Sequence, residues 1–279
     1  MLSDQTKHLE KLFKSACRAD VEAIKPGNIS IHCGGRQMHA DDFINSAMAC
    51  AAAICAPHSS LGERILCAVK ETRKVVSMNT NLGIILLCAP LIQAVYLNNK
   101  QSIRQSLQQV LANTTVDDAR RVYTAIRLAE AGGLGQVAEA DISTHPDISL
   151  LEAMKLAHRR DLIAAQYANN YQDIFDDARL ALLEFYSKWG YNHFSVSGLY
   201  MKLLASYPDS LIIRKRGEAA AQEVCDLASA LYEKYCCGDK PERLDIRLLE
   251  LDRKLKDRDI NPGTTADLTV ATIFLVALE

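Results

Sequence analysis

Apolar residues recur every three to four positions along most of this chain, and where that period lapses a short cluster of Pro, Gly, Asn or Thr takes its place. From Thr6 to Ala23, Leu9, Leu12, Phe13, Ala16 and Ala19 share one helical face, and Lys25-Pro26-Gly27-Asn28 ends the pattern. The period returns from Phe43 to Ala56, with Asp41 or Asp42 as its cap, and again from Gly62 to Val76 on Ile65, Leu66, Val69, Thr72 and Val76. After Pro90, Ile103, Leu107, Val110 and Leu111 mark the next helix. Thr115 with Asp118 forms a capping box that opens another, on Ala119, Val122, Ile126 and Ala129, and Gly132-Gly133-Leu134-Gly135 closes it. Ser149 to Asn169 reads as one helix, with Arg159, Arg160 and Asp161 midway. Gln172 to Trp189 follows, with Gly190 at its C-cap, and then Tyr191 to Pro208 reads as loops and one helical turn. Helices from Glu218 to Tyr235 and from Pro241 to Lys256 are separated at Gly238. Strand-length runs of β-branched residues are scarce and no linker-like composition interrupts the helices. The prediction is therefore all-α: a single-domain multi-helix bundle over residues 1–279.

Two stretches depart from the amphipathic pattern. Met78-Asn79-Thr80-Asn81 leads into an almost wholly apolar run, Leu82 to Leu91, that holds Pro90 near its end. A segment apolar on every side is buried on every side. Asn79, Thr80 and Asn81 are thus carried into the middle of the protein, where they must bond to one another's neighbours or to a ligand. The closing stretch, Asn261-Pro262-Gly263-Thr264-Thr265-Ala266-Asp267-Leu268, places Thr264 and Asp267 at capping-box spacing ahead of a helix on Leu268, Ala271, Thr272 and Leu275. Free amides and hydroxyls at such a helix start suit a phosphate. The plain alternative for both stretches is a well-capped helix. The loop Ile29 to Ala40 gathers Ser30, His32, Gly34, Gly35, Arg36 and His39, and is longer than a simple connection needs.

Composition narrows the class. The 279 residues are 49% hydrophobic with a formal net charge of −2, and the charges are scattered. That speaks against nucleic acid and against a membrane surface as partners. Nine cysteines without a Cys-x-x-Cys pair point to reduced, buried thiols and a cytoplasmic location, not a zinc site. The first fourteen residues are charged and lack the apolar core of a secretion signal, and Leu82 to Val95 is too short to span a bilayer. The glycines at 132–135 follow no strand and precede no Lys-Ser/Thr, so neither a P-loop nor a dinucleotide turn is supported.

Three polar breaks share one design: Lys25-Pro26-Gly27-Asn28, Asn79-Thr80-Asn81-Leu82-Gly83, and Asn261 to Asp267. Each opens or closes an apolar helix, so a bundle could gather them into one polar cleft formed by helix-terminal turns. Together with Asp209 and Arg214-Lys215-Arg216-Gly217, they resemble the triphosphoribosyl-dephospho-coenzyme A synthase family over nearly the whole chain. The Asn-Pro-Gly-Thr-Thr-Ala-Asp-Leu ending is the most specific part. The resemblance implies an all-helical transferase that takes ATP as donor, expels adenine, and joins the anomeric carbon to the 2'-hydroxyl of dephospho-coenzyme A. An oxocarbenium-like transition state calls for carboxylates, and Asp42 and Asp267 are the candidates. The triphosphate calls for cations and donors: Lys25, Arg214, Lys215, Mg²⁺ (with Asp267 as a ligand) and the helix start at Gly263-Thr264-Thr265. Asn79 and Asn81 would hold ribose or base, and Gly27, Asn28, Thr80, Gly83, Asp209 and Asn261 complete the expected binding set. The segment Asn28-Ile29-Ser30-Ile31-His32 and Gly34 to Met38 departs from the citrate-lyase branch and looks more like archaeal and methylotroph members. A different phosphoribosyl acceptor, in tetrahydromethanopterin synthesis, is the alternative. A non-catalytic nucleotide-binding or assembly protein is the alternative of another class, and homo-oligomerisation is left open.

Overall fold

Two helices with no polar face occupy the centre of the computed structural model, which describes residues 4–34, 38–97, 100–130, 145–236 and 241–279. They are α4 (Leu82–Tyr96) and α14 (Gly263–Leu278), and they pack against each other. Their sequences explain the position. From Leu82 to Ile92 every residue of α4 is buried, and in α14 so is every residue from Leu268 to Leu275. Neither can lie at a surface. Around them run α1 (Asp4–Glu22), α2 (Ala40–Ile54), α3 (Leu61–Val75), α5 (Ile103–Ala112), α6 (Val116–Ala129), α7 (Leu150–Ala157) and α8 (Leu162–Ala168). A second apolar cluster joins α9 (Arg179–Trp189), α10 (His193–Ser206), α11 (Ser210–Arg216), α12 (Glu218–Cys236) and α13 (Pro241–Asp257). Helix α14 belongs to both clusters, through Leu268 to Leu275 in the first and Ala266 in the second. The described residues contain no β-strand, as an all-α bundle requires, and no helix among them is long and apolar enough to cross a membrane.

Proline 90 does not end its helix, contrary to the sequence pattern. A proline at this point leaves the carbonyl four residues back, that of Leu86, without its helical donor. The Tyr167 hydroxyl donates to that oxygen at 2.7 Å, and the Tyr171 hydroxyl donates to Leu87 O at 3.1 Å. Both phenols are fully buried, and burial pushes their ionisation well above the ordinary range, so both remain donors. The helix continues to Tyr96 because a neighbour replaces the missing bond. Tyr167→Phe is expected to destabilise the fold by about 1–3 kcal/mol, the cost of a buried carbonyl left unpaired. Urea denaturation checks this against Tyr191→Phe, at a ring 84% exposed, which should be neutral.

Other boundaries also shift. The predicted helix 149–169 is two helices, because Asp161 leaves helical geometry and accepts from the amides of Ile163 and Ala164 at 2.9 and 3.1 Å, capping α8. Residues 191–208 hold a full buried helix, α10, and not loops with one turn. A short π-helical stretch, Asp173–Ala178, precedes α9. His39 stands at the cap of α2, and Asp42 sits three residues inside it, with its carboxylate accepting from His39 N at 2.8 Å. The expected turns at Gly35-Arg36, Gly132 to Gly135 and Gly238 lie outside the described residues.

Candidate active site

The first polar turn is welded to the last. Lys25, only 2% exposed, forms an ion pair with Asp20 near the end of α1 and donates to Asn28 Oδ1 at 3.2 Å. Asn28 Nδ2 in turn donates to Asn261 Oδ1 at 2.8 Å. Gly27 has φ +81° and donates its N–H to Asp252 at 2.9 Å. A Cβ at Gly27 would stand 2.7 Å from the Pro262 ring, so only glycine lets the turns 25–28 and 260–263 touch.

The middle turn is held from behind. Thr72 Oγ1 donates to Asn81 Oδ1 at 3.2 Å, and Asn81 Nδ2 donates to Cys50 Sγ at 3.4 Å. Thr80 and Ser46 share a hydroxyl bond at 2.5 Å, while Asn79 Oδ1 accepts from Leu82 N at 3.2 Å. Asn79, not Asn81, therefore supplies the side-chain cap of α4. Gly83 lies against α14 so closely that a Cβ there would be 2.0 Å from Asp267 Oδ2.

The closing turn contains no capping box. Pro262 occupies the cap position of α14 without a side-chain bond, and Asp267 does not reach back to it. Its work is done from another element. Fully buried Asp209 accepts with Oδ1 from Leu211 N and Ile212 N at 2.8 and 3.1 Å. Its Oδ2 accepts from Thr265 N and Thr265 Oγ1 at 2.7 and 2.8 Å. One carboxylate thus caps the starts of both α11 and α14. Thr264 Oγ1 pairs with Ser210 Oγ at 3.0 Å.

These turns border a cavity of about 560 Å³. Its wall contains Asn79, Thr80, Asn81 and Gly83 from one turn, and Asn28, Asn261, Gly263 and Thr264 from the other two. Asp267, Arg214 and Lys215 complete the expected members. Five expected residues stand elsewhere. Lys25, Gly27, Asp209 and Thr265 lie behind the wall, in the bonds just described, and Asp42 is turned toward the start of α2. Four charged residues of the wall were not singled out as site residues from the sequence: Asp20, Glu130, Arg160 and Asp161. Asp20 sits in an otherwise apolar helical pattern, and a carboxylate on a buried helix face is the signal that would have found it.

Charge in the cavity is unevenly satisfied. Asp161 Oδ2 takes an ion pair from Arg214 Nη1, and Arg214 Nε is buried with no hydrogen-bond partner. Asp20 Oδ1 is likewise buried and unpartnered. Burial raises the Asp20 carboxyl, and the neighbouring Lys25 ammonium opposes the rise. Asp267 has no hydrogen bond or ion pair among the described residues. Burial raises its carboxyl well above the usual range, the nearby carboxylates of Asp209, Asp20 and Asp161 raise it further, and only Arg214 opposes them. The cavity therefore holds two carboxyls raised by burial, one of them beside a lysine that opposes the rise. No three His, Cys, Asp or Glu side chains among the described residues are placed to hold a metal ion by themselves.

Comparison with known proteins bears on this arrangement. Residues 6–279 match the family model described as ATP:dephospho-CoA triphosphoribosyl transferase (CitG). A solved structure assigned as a triphosphoribosyl-dephospho-CoA synthase, from Archaeoglobus fulgidus, is 29% identical to the chain. It superposes with a TM-score of 0.63 over 83% of this chain and 96% of its own. Among curated proteins none matches the chain.

Proposed function

The chain belongs to the ATP:dephospho-CoA triphosphoribosyl transferase family, and from that premise we propose how its cavity carries out the reaction. The activity is transfer of a triphosphoribosyl group from ATP to dephospho-CoA, with adenine released. Neither an acceptor from one-carbon cofactor synthesis nor a non-catalytic nucleotide-binding role is favoured by the match.

The observation that carries the residue assignment is Asp267, an unpartnered carboxyl of raised pKa in the cavity wall, pressed against a glycine. It acts as the general base that takes the proton of the attacking 2'-hydroxyl. A carboxyl shifted upward is a stronger base than an exposed one. Asp20, paired with the Lys25 ammonium, faces the positive charge that develops on the ribose as adenine leaves. Asn28, Asn79 and Asn261 offer amide groups to ribose and base. Arg214 and Lys215 stand for the triphosphate, with the hydroxyl of Thr264 at the start of α14. Asp42, whose carboxylate is committed to the cap of α2, is not assigned a catalytic part.

Mg²⁺ fits this donor set as an ion carried by the ATP phosphates, because magnesium commonly needs only one or two protein carboxylates. With Asp267 assigned as the base, Asp20, whose Oδ1 is buried without a partner, is the residue that would hold it, and bound there it would neutralise phosphate charge. A cytoplasmic location is supported by the eight described cysteines, all of which are free thiols.

Incubation of the purified protein with ATP, Mg²⁺ and dephospho-CoA should release adenine and yield a dephospho-CoA adduct enlarged by one triphosphoribosyl group. Chromatography with mass detection reads both, and absence of adenine would refute the reading. Arg214→Ala should weaken ATP binding about tenfold or more, because a charge-assisted phosphate contact is lost. Calorimetry decides the matter, and unchanged ATP affinity would remove Arg214 from the phosphate site.

A further inference from the structure

We propose that the apolar part of the cavity wall, formed by α6, α7 and the start of α8, receives the pantetheine arm of dephospho-CoA and so selects the acceptor. The inference rests on the transferase reading of the cavity. Donor and acceptor are both adenine nucleotides with a 5'-polyphosphate, and each offers the polar turns the same groups. What distinguishes the acceptor is its arm, a chain of methylenes with a geminal dimethyl carbon, two amides and a terminal thiol. The wall is divided in the same way.

On α7, Leu150, Ala153, Met154 and Ala157 all line the cavity, at the three-to-four-residue spacing of one helix face. That face runs about 10 Å at ~1.5 Å per residue. Arg160, three residues beyond Ala157, lines the same cavity, is exposed, and has no side-chain bond among the described residues. Val122 and Ile126 of α6 and Ile163 of α8 complete the apolar surface. A cation at one end of an apolar track matches a diphosphate followed by a pantetheine chain. Purines are usually read by convergent polar groups along their edges, and this track offers none of its own beyond Tyr123.

The probe is 4'-phosphopantetheine, which carries the arm and its phosphate but has no ribose hydroxyl and cannot react. By calorimetry it should bind the wild-type protein, and saturating ATP should not displace it. Ala157→Leu, which fills the track, should weaken it by at least about tenfold while ATP affinity stays unchanged. Ile126→Thr, from the neighbouring helix, should weaken it severalfold. Displacement of phosphopantetheine by ATP would overturn the proposal and assign the track to the donor's adenine. So would a loss of ATP affinity in Ala157→Leu equal to that for phosphopantetheine, or no binding of phosphopantetheine by the wild type. Adenine release is scored separately: its absence refutes the transferase reading, whereas the binding comparison decides the track.

Discussion

Asp267→Asn lowers adenine release by about 100- to 10,000-fold, the range for loss of a positioned general base, while the melting temperature stays level or rises. Stability is spared because the asparagine is isosteric and removes a carboxyl whose charge is penalised by burial and by three neighbouring carboxylates. Asp267→Glu is expected to fail as well. Asp267 Oδ2 already lies against Gly83, with no room for one Cβ between them, and an added methylene displaces the carboxylate from its working position. The pH profile gives a second reading. A base works only when ionised, so the wild-type rate climbs as pH rises through the Asp267 pKa. That pKa is raised, so the climb lies above the usual carboxylate range, and the Asn variant loses it. If Asp267→Glu kept full turnover, Asp267 would have only a structural part and Asp20 would become the candidate base.

Asp209→Ala is expected to cost about 4 kcal/mol, the sum of two helix caps at roughly 2 kcal/mol each where the caps are buried. Four donors lose their acceptor together: the amides of Leu211, Ile212 and Thr265, and the Thr265 hydroxyl. For a chain of this size the melting temperature falls by about 10 °C. Asp209→Asn keeps one acceptor oxygen but turns an N–H₂ group toward donors, so it falls between Ala and the wild type. ATP affinity drops with stability, because Arg214 and Lys215 lie on α11 and Thr264 and Asp267 on α14. A melting temperature within about 2 °C of the wild type in the Ala variant would show that solvent satisfies these donors instead.

The sequence discloses those parts of the fold whose helices have one dry face. Helices α1, α3, α5 and α6 alternate polar and apolar residues, and their capping residues are correctly read at Thr115 and Asp118. Helix α10 escapes because Ser195, Ser197 and Gly198 are buried along with Val196, Leu199 and Tyr200, so burial leaves no period in its residue types. The break at Asp161 escapes because no Pro or Gly marks it. At the cavity, the three Asn-bearing turns are legible as interruptions between apolar runs. Which member of each turn faces inward is not. Thr264 and Asp267 satisfy the spacing of a capping box, but the actual cap comes from Asp209, some fifty residues earlier in the chain. Lys25, likewise, reads as a phosphate ligand until its buried partner Asp20 is seen.

The bond between α8 and the proline helix limits the order in which this protein can change. Pro90 and Tyr167 form a two-locus system: the proline deprives Leu86 O of a donor, and the tyrosine hydroxyl restores one. A lineage that first replaces the proline by alanine regains the helical bond and leaves the hydroxyl redundant, after which phenylalanine at 167 is tolerated. A lineage that takes phenylalanine first passes through an intermediate with an orphaned carbonyl. The two substitutions are therefore epistatic in size: phenylalanine at 167 costs stability beside Pro90 and little beside alanine, so the proline-first order avoids the destabilised intermediate.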